Sequence, residues 1–401
     1  MQYQPKATVT VKINEKSGPF RDKKMFELQM TRPKATQLAI VLLLGLSIIP
    51  VAVYPARATE SCSPAGTTGL TTLMVAHSHQ VISGKTIDST GCDVGVFVPP
   101  SSTNVVIMRD DISGANIHGI FVQDSSNIII SNNQVHDNSA GVPKVSCDFV
   151  HEGPCVAEGK AIQLDGTSNS LIAHNTITND QFGGISIADD GPVDAGALNP
   201  GTLSPANNNI VIGNQITQVA HDCGIVVAVY NHVTASNNLV INNNVEGSLP
   251  PFGVNPYVGQ IVVATDGPNA TIRNTLIINN VVNGSTLPGI VVHSNAPGDS
   301  ISGTFITGNR LGNNGYYPPF FSSPNTPVAT NGTTAISLVA EAYPGVPLPP
   351  TISGTVLINN TISPDQNGVW LCKTNGTTII NTPNHASSIT NPVVTCANGG
   401  S

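Results

Sequence analysis

Aliphatic and polar residues recur along this chain at fixed offsets from one asparagine. With that residue at position zero, eight segments align on Asp110, Asn133, Asn175, Asn214, Asn243, Asn280, Asn309 and Asn360. Position +2 is aliphatic in every segment (Ile112, Val135, Ile177, Ile216, Val245, Val282, Leu311, Ile362), and so is position −3 (Ile107, Ile130, Ile172, Val211, Val240, Ile277, Ile306, Leu357). A second element follows, a small residue and then Ile/Val-x-hydrophobic. It reads GIFV at Gly119, AIQL at Ala161, GISI at Gly184, GIVV at Gly224 and Gly289, and AISL at Ala335. The step from the asparagine to this element is eight to ten residues in five segments and 28, 17 and 26 in the others; the shortest full period is 23.

Each period is a set of short strands and tight turns with too little apolar surface to fold by itself. Stacking the periods lets strand n pair in parallel with strand n+1 about 4.8 Å away, so that every inward side chain lies over its equivalent. Asparagine is a weak strand former, but inside such a stack its amide both donates and accepts, and identical amides can bond in a ladder. Asp110 departs from the column. An ionised carboxylate only accepts, which suits the end of a ladder better than its middle. Antiparallel hairpins in a sandwich would not account for one asparagine column with aliphatics at fixed offsets on both sides. The predicted fold is therefore all-β, a parallel solenoid of about eight or nine coils. It takes residues 81–372, with residues 59–80 as an N-terminal cap segment and 373–401 as a C-terminal tail. Position −4 is also apolar throughout, and position −2 mostly so (Met108, Ile212, Ile241, Ile278, Ile358). Strand alternation turns both away from the core. Such an apolar side face needs cover, from the tail or from a partner chain in a homo-oligomer.

Composition narrows the class. Only 10% of residues are charged and 4% aromatic, while 40% are apolar, so helix-forming material is scarce and disorder fits poorly. The first 58 residues differ: they hold nine of the sixteen Lys+Arg and three acids. Within them QLAIVLLLGLSIIPVAVYPARA ends in Ala56-Arg57-Ala58, the small-x-small pattern of a signal-peptidase site. An uncleaved membrane anchor is the alternative; Pro50, Pro55 and the terminal pattern favour cleavage. Met30 makes a more ordinary start than Met1, so residues 1–58 read as a signal peptide with an N-terminal extension, and the protein as secreted, cell-surface or periplasmic. From Thr59 onward seven basic and 21 acidic residues leave a net charge of −14, which repels nucleic acid and polyuronates. All seven cysteines follow the predicted cut, as suits an oxidising compartment. Proximity favours Cys62–Cys92, Cys147–Cys155 and Cys372–Cys396, with Cys223 as a buried thiol. No C-x-x-C pair supports zinc.

These motifs resemble the right-handed parallel β-helix repeats of the pectin-lyase-like superfamily, NosD-like and other carbohydrate-associated β-helix proteins, over residues 81–372. The resemblance implies a right-handed coil of three sheets. It also implies a family that holds polysaccharide lyases, hydrolases, epimerases and non-catalytic members. The G-H-G and R-I-K motifs of polygalacturonase-like hydrolases are absent, as is the D-P-H-D of the epimerases. No arginine stands in the candidate site to act as the base of pectate-lyase-type elimination.

Extra length falls at two corners: residues 138–158, 246–259 and 312–334 before the small-residue element, and 190–206 and 341–353 after it. Both flank one sheet, which becomes the predicted cleft floor. At the end of its strands Asp165, Asp189 and Asp190 are the candidate catalytic residues, because close carboxylates push one pKa up and suit acid/base work on glycosidic bonds. Asp124, Gln163, His151, Glu152 and Lys160 are the candidate substrate contacts. Ca²⁺, which takes several oxygen ligands, is the cation such a cluster would suit, with its ligands unassigned. His118, His136 and His174 read as surface or turn residues. Aspartate also fills solenoid turns by bonding to local backbone, so two functions stay open. One is a polysaccharide-processing enzyme, a glycoside hydrolase or Ca-dependent lyase. The other is a non-catalytic adhesion, structural or glycan-binding β-helix. In both, the polysaccharide partner is neutral or is bridged by Ca²⁺.

Overall fold

Three-residue strands with a buried centre recur through the chain. Ile129–Ser131, Gln134–His136, Leu171–Ala173 and Thr176–Thr178 each bury their middle aliphatic. In the computed structural model the described residues are 61–141, 159–189, 204–219, 223–247, 259–284, 288–312, 314, 334–340, 349–362, 365, 367–372, 374–380 and 391–395, all within one unit, Arg57–Ser401. One coil runs through Lys160–Asp165, Leu171–Ala173 and Thr176–Thr178, and the next begins at Gly183–Ala188.

Equivalent strands pair in parallel and in register, so Val135, Ile177, Ile216, Val245, Val282, Leu311 and Ile362 form one inward column. Stacked this way, the strands make a long sheet of twelve, a second of ten, a third of nine and a fourth of four. The chain is a right-handed parallel β-helix, the hand that parallel crossovers adopt. The fourth sheet (Thr234–Ser236, Thr271–Arg273, Ser300–Ser302, Thr351–Ser353) lies at the corner between the long and second sheets.

The asparagine column is present as expected. Asn133 Nδ2 donates to Asn175 Oδ1 at 3.0 Å, and the same bond continues through Asn214, Asn243, Asn280, Asn309 and Asn360 at 2.9–3.0 Å. The second amide hydrogen goes to a backbone carbonyl of the preceding coil, as from Asn133 to Ile107. Each Oδ1 also accepts a backbone N–H, as Asn175 does from Asn133. Each rung from Asn133 to Asn309 thus donates toward the C-terminal coil, and Asn360 accepts the last of these bonds.

Asp110 stands at the other end of this polarity. Its Oδ1 accepts the Lys85 amide at 2.8 Å, but Oδ2 is buried with no partner. A carboxylate suits the end that receives hydrogen bonds, and Asp110 occupies the end that should give one.

The residue just before each rung has a different task, and in four coils it is asparagine. Asn132, Asn242, Asn279 and Asn359 have φ of 52–57°, the left-handed conformation that asparagine tolerates at a corner. At the other end of the second sheet's strands, exposed asparagines form a looser ladder: Asn208 to Asn169 at 3.1 Å, Asn237 to Asn208 at 3.2 Å and Asn274 to Asn237 at 3.4 Å.

The solenoid reaches beyond its predicted limits at both ends. Among the described residues the long sheet has eleven strands in parallel register, against the eight or nine coils expected. Thr71–Val75 pairs with Val94–Val98 inside the expected cap, while Thr378–Ile380 and Asn391–Thr395 extend two sheets inside the expected tail. These end coils lack the asparagine that marks the others: Lys85 fills the place under Asp110. Because 374–380 and 391–395 continue the coil, they do not lie across the apolar side face. That face presents outward pairs such as Ile210/Ile212, Leu239/Ile241 and Leu276/Ile278, all half-buried.

Cys62 and Cys92 are joined as expected, and Cys223 is a buried thiol. Cys372 is disulfide-bonded, while Cys147, Cys155 and Cys396 lie outside the described residues, as do residues 1–58. No helix among the described residues is long and apolar enough to cross a membrane.

Candidate functional site on the outer face of the long sheet

Alternation divides the long-sheet strands cleanly. Ile162 and Leu164 enter the core, as do Ile185 and Ile187, so Gln163, Asp165 and Ser186 face outward. This outer face is buried along the described strands rather than forming an open floor. At its N-terminal end Phe97, Phe121 and Phe182 pack with Ala65 and Leu70. Further along, Ala188, Val226, Ala228, Val262, Ala264 and Val291 form a second apolar cluster, with Tyr230 against it.

Among the candidate site residues, the structure brings Lys160, Gln163 and Asp165 together on one strand, all buried. Gln163 Nε2 donates to Asp165 Oδ1 at 2.5 Å. Behind them the Lys160 amide donates to His118 Nδ1 at 3.2 Å, and the His118 ring stacks on Phe121 with centroids 5.1 Å apart. His118 is thus interior, not the surface or turn residue expected, because the small-residue corner tucks it under the aromatic cluster. Asp180, also interior, takes a bond from Ser139 Oγ at 2.8 Å. Burial raises its pKa to about 7, against the bonds from Ser139, Phe182 and Asn138 and the charge of Lys160.

Asp189 does not join Asp165. In register Asp165 lies opposite Ala188, and Asp189 is the next residue, beyond the strand. Its Oδ1 accepts the Tyr230 amide at 2.7 Å and its Oδ2 the Asn231 amide at 3.0 Å, while Asn231 Nδ2 donates back to its carbonyl. Both oxygens therefore cap the turn of the following coil. Burial raises the Asp189 pKa to about 6, opposed by those same bonds. Of the three candidate aspartates, Asp165 is thus an outward side chain and Asp189 a turn cap. Asp124, with φ 42°, is a half-buried corner residue whose amide donates to the Asp165 carbonyl. Asp190, His151 and Glu152 lie outside the described residues, as do most of the corner insertions.

A second polar group lies further along the same face. Register places Tyr230, Asp266 and Asn295 in one column beyond three consecutive strands, Ile225–Val229, Ile261–Thr265 and Ile290–Ser294. His293 follows Ala188, Ala228 and Ala264 in the neighbouring outward column. His293 Nδ1 is 3.8 Å from Asp266 Oδ1, and Asn295 hydrogen-bonds to the Asp266 carboxyl. Burial raises the Asp266 pKa, opposed by His293 and Asn295; burial lowers that of His293, opposed by Asp266. Gly267 fixes the turn beside Asp266, because a Cβ there would lie 1.6 Å from the Tyr230 carbonyl oxygen. Asp299 caps the same corner through the amides of Ala270 and Ala296, and burial raises its pKa to about 8.

Counting from the small residue would have found this group. His293 stands four residues past Gly289, as Asp165 does past Ala161, and Asp266 and Asn295 each stand six past their own starts. Among the described residues, no three His, Cys, Asp or Glu side chains come close enough to hold a metal ion.

Residues 59–195 match the family model described as right-handed beta helix region. Solved structures similar to this chain include three named proteins. The A-module of mannuronan C-5 epimerase AlgE6 from Azotobacter vinelandii has 14% identity, 75% of this chain and 68% of that one covered, and TM-score 0.37. PfbA, a surface adhesin of Streptococcus pneumoniae, has 11% identity, 81% and 84% covered, and TM-score 0.38. The catalytic domain of a GH87 alpha-1,3-glucanase has 12% identity, 80% and 62% covered, and TM-score 0.30. The chain has no significant match among curated proteins.

Proposed function

We propose that this protein is an exported β-helix that binds a neutral polysaccharide and does not cleave it. The observation that carries this reading is the use of Asp189: both oxygens are committed to backbone amides of a turn. Glycoside hydrolysis uses two carboxyl groups facing one scissile bond, and Asp189 instead stands one residue beyond the strand position opposite Asp165 and is turned into the next corner. The low charge density and net negative balance favour a neutral glycan over a polyanion. The Cys62–Cys92 bridge suits an oxidising compartment.

The test is a panel of neutral and acidic glycans, with and without Ca²⁺, scored for binding and for release of reducing ends. Saturable binding of a neutral member without release is expected. Reducing ends that appear with wild type and vanish in Asp165→Ala would overturn the non-catalytic reading.

The apolar side face supports a second statement, about assembly. None of the outward positions on the ten strands of the second sheet is charged, so two copies of a negatively charged chain can meet there without carboxylate repulsion. Sedimentation should show a dimer that Ile241→Asp converts to a monomer. A wild type that remains monomeric at the highest concentration reached would sink this.

A further inference from the structure

We propose that one joint of the solenoid is fastened by two protons and loosens as they leave. It lies between the coil of Asp110 and Asp111 and the coil of Asn133 and His136. One proton sits on the inner side of the wall and the other on the outer side. The device does not depend on what the protein binds.

The inner proton belongs to Asp110. At later joints an asparagine Nδ2 donates to Oδ1 of the next rung, as from Asn133 to Asn175 at 3.0 Å. Asp110 keeps half of that pattern, because its Oδ1 accepts an amide of the coil before it, that of Lys85, at 2.8 Å. Its Oδ2, buried and without a partner, is left in the place of the missing Nδ2. The acceptor next to it is Asn133 Oδ1, which already takes the Asp110 amide at 2.9 Å. An ionised carboxylate has nothing to give there, whereas the neutral acid has one O–H. Protonation therefore completes the ladder at its first rung. Around Asp110 stand the charged Lys85, the apolar Ile87, Ile107 and Ile112, and Arg109, which turns the corner before it with φ 57°.

The outer proton belongs to His136. Register sets Asp111 opposite Gln134 and Ser113 opposite His136, so the imidazole reaches Asp111 diagonally across the joint. Its Nε2 lies 2.8 Å from Asp111 Oδ1 and its Nδ1 lies 2.6 Å from Asp137 Oδ2. Carboxylates only accept, so both ring nitrogens bond at once only as the imidazolium. The other groups on that side are Thr176 and Thr178 of the next coil, and Asn179, which donates to Asp137. Asp88 lies two strands away and is bonded to Thr90.

Both protons leave in the same direction. Burial raises the Asp110 pKa to about 6, against the bonds from the Lys85 and Met108 amides and the charge of Lys85. At His136 burial works downward, but the bonds and charges of Asp137 and Asp111 outweigh it and raise the value. Each group holds its proton more tightly in the folded chain, so each contribution is full in acid and is lost as pH rises. The inner one goes between about pH 4 and about pH 6, and the outer one above about pH 6.5. The coils before Asn133 are thus joined to the rest most firmly in an acidic medium.

Hydrogen exchange on the full-length protein tests the joint. The reporters are two amides that cross it, from Gln134 to the Asp110 carbonyl and from Ile129 to that of Val105. The reference amides, from Asn244 to Asn214 and from Val281 to Asn243, cross joints of the asparagine column. Relative to these, protection at Gln134 and Ile129 should fall by about tenfold or more between about pH 5 and about pH 8, after correction for intrinsic exchange. Asp110→Asn combined with His136→Gln should abolish that fall, and each alone should keep part of it. In NMR, the imidazole signal that His136→Gln removes should titrate above the ordinary histidine range in wild type and move back toward it in Asp111→Asn. A fall that only matches the reference amides, or one that survives in the double variant, would overturn the proposal. So would a His136 that titrates at or below the ordinary value, whatever the double variant does.

Discussion

Asn214→Ala is expected to lower the free energy of unfolding by about 3–6 kcal/mol, a large share of the total for most domains. The size follows from the number of bonds lost at one buried point. Asn214 Oδ1 accepts from the Asn175 amide at 2.9 Å and from Asn175 Nδ2 at 3.0 Å; its Nδ2 donates to the Ile172 carbonyl at 3.1 Å and to Asn243 Oδ1 at 2.9 Å. Alanine returns none of these, and the space is closed to water, so each abandoned partner carries a desolvation cost. A solenoid feels such a loss twice, because one rung couples the coil before it to the coil after it. The comparison variant is Asn208→Gly, which removes an amide of the exposed ladder and keeps the left-handed corner; it should cost about 0.5 kcal/mol or less. Urea denaturation of both checks the claim. If the two substitutions cost the same, the buried column is ornamental and the account of the repeat is wrong.

Asp110→Asn is expected to stabilise the protein by about 1–3 kcal/mol near neutral pH. Substituting asparagine adds the missing donor: its Nδ2 would stand where the unpartnered Oδ2 stands now, next to Asn133 Oδ1, which already accepts the Asp110 amide at 2.9 Å. The pH dependence gives a sharper check. Burial raises the Asp110 pKa to about 6, against bonds from the Lys85 and Met108 amides and the charge of Lys85. A raised carboxyl pKa means that the folded chain holds this proton more tightly than the unfolded chain does. Stability from this group is therefore fully present below about pH 4 and is lost as pH rises toward 6. Asp180, Asp189, Asp299 and Asp365 also have raised values, but they are common to both proteins. The difference between Asp110→Asn and wild type should be small at pH 4, widen to about pH 6, and then stay level. A difference that does not change with pH would show that Asp110 is not the titrating group.

The fold was legible because its determinants are periodic. The pair Asn132-Asn133 reads as polar noise in one segment. Aligned across eight, it separates into a residue that turns the corner and a residue that bonds up the stack. What the alignment could not show was the polarity of the ladder. Donor and acceptor ends look alike in a column of asparagines, and only the bond from Asn133 to Asn175 tells which end Asp110 occupies. The ends of the solenoid were missed for a related reason: Thr71–Val75 and Asn391–Thr395 carry Leu73 and Pro392 at the register position where the repeat has its small residue. The geometry of the candidate site was less legible. Lys160, Gln163 and Asp165 share one strand, while Asp189 stands one residue of register beyond Asp165, and one residue reverses the face. Its role as a cap depends on amides at Tyr230 and Asn231, about forty residues away in sequence and invisible without the stack.

The uniform direction of the asparagine bonds also gives the interior an electrical axis. Every amide in the column points its carbonyl toward the first coils and an N–H toward the last, so the individual dipoles add rather than cancel. The N-terminal end of the cylinder is its negative pole and the C-terminal end its positive pole, a sense opposite to that of an α-helix. Asp110 thus places an acidic group at the negative pole of a column of aligned dipoles, where a neutral or cationic side chain would be at rest.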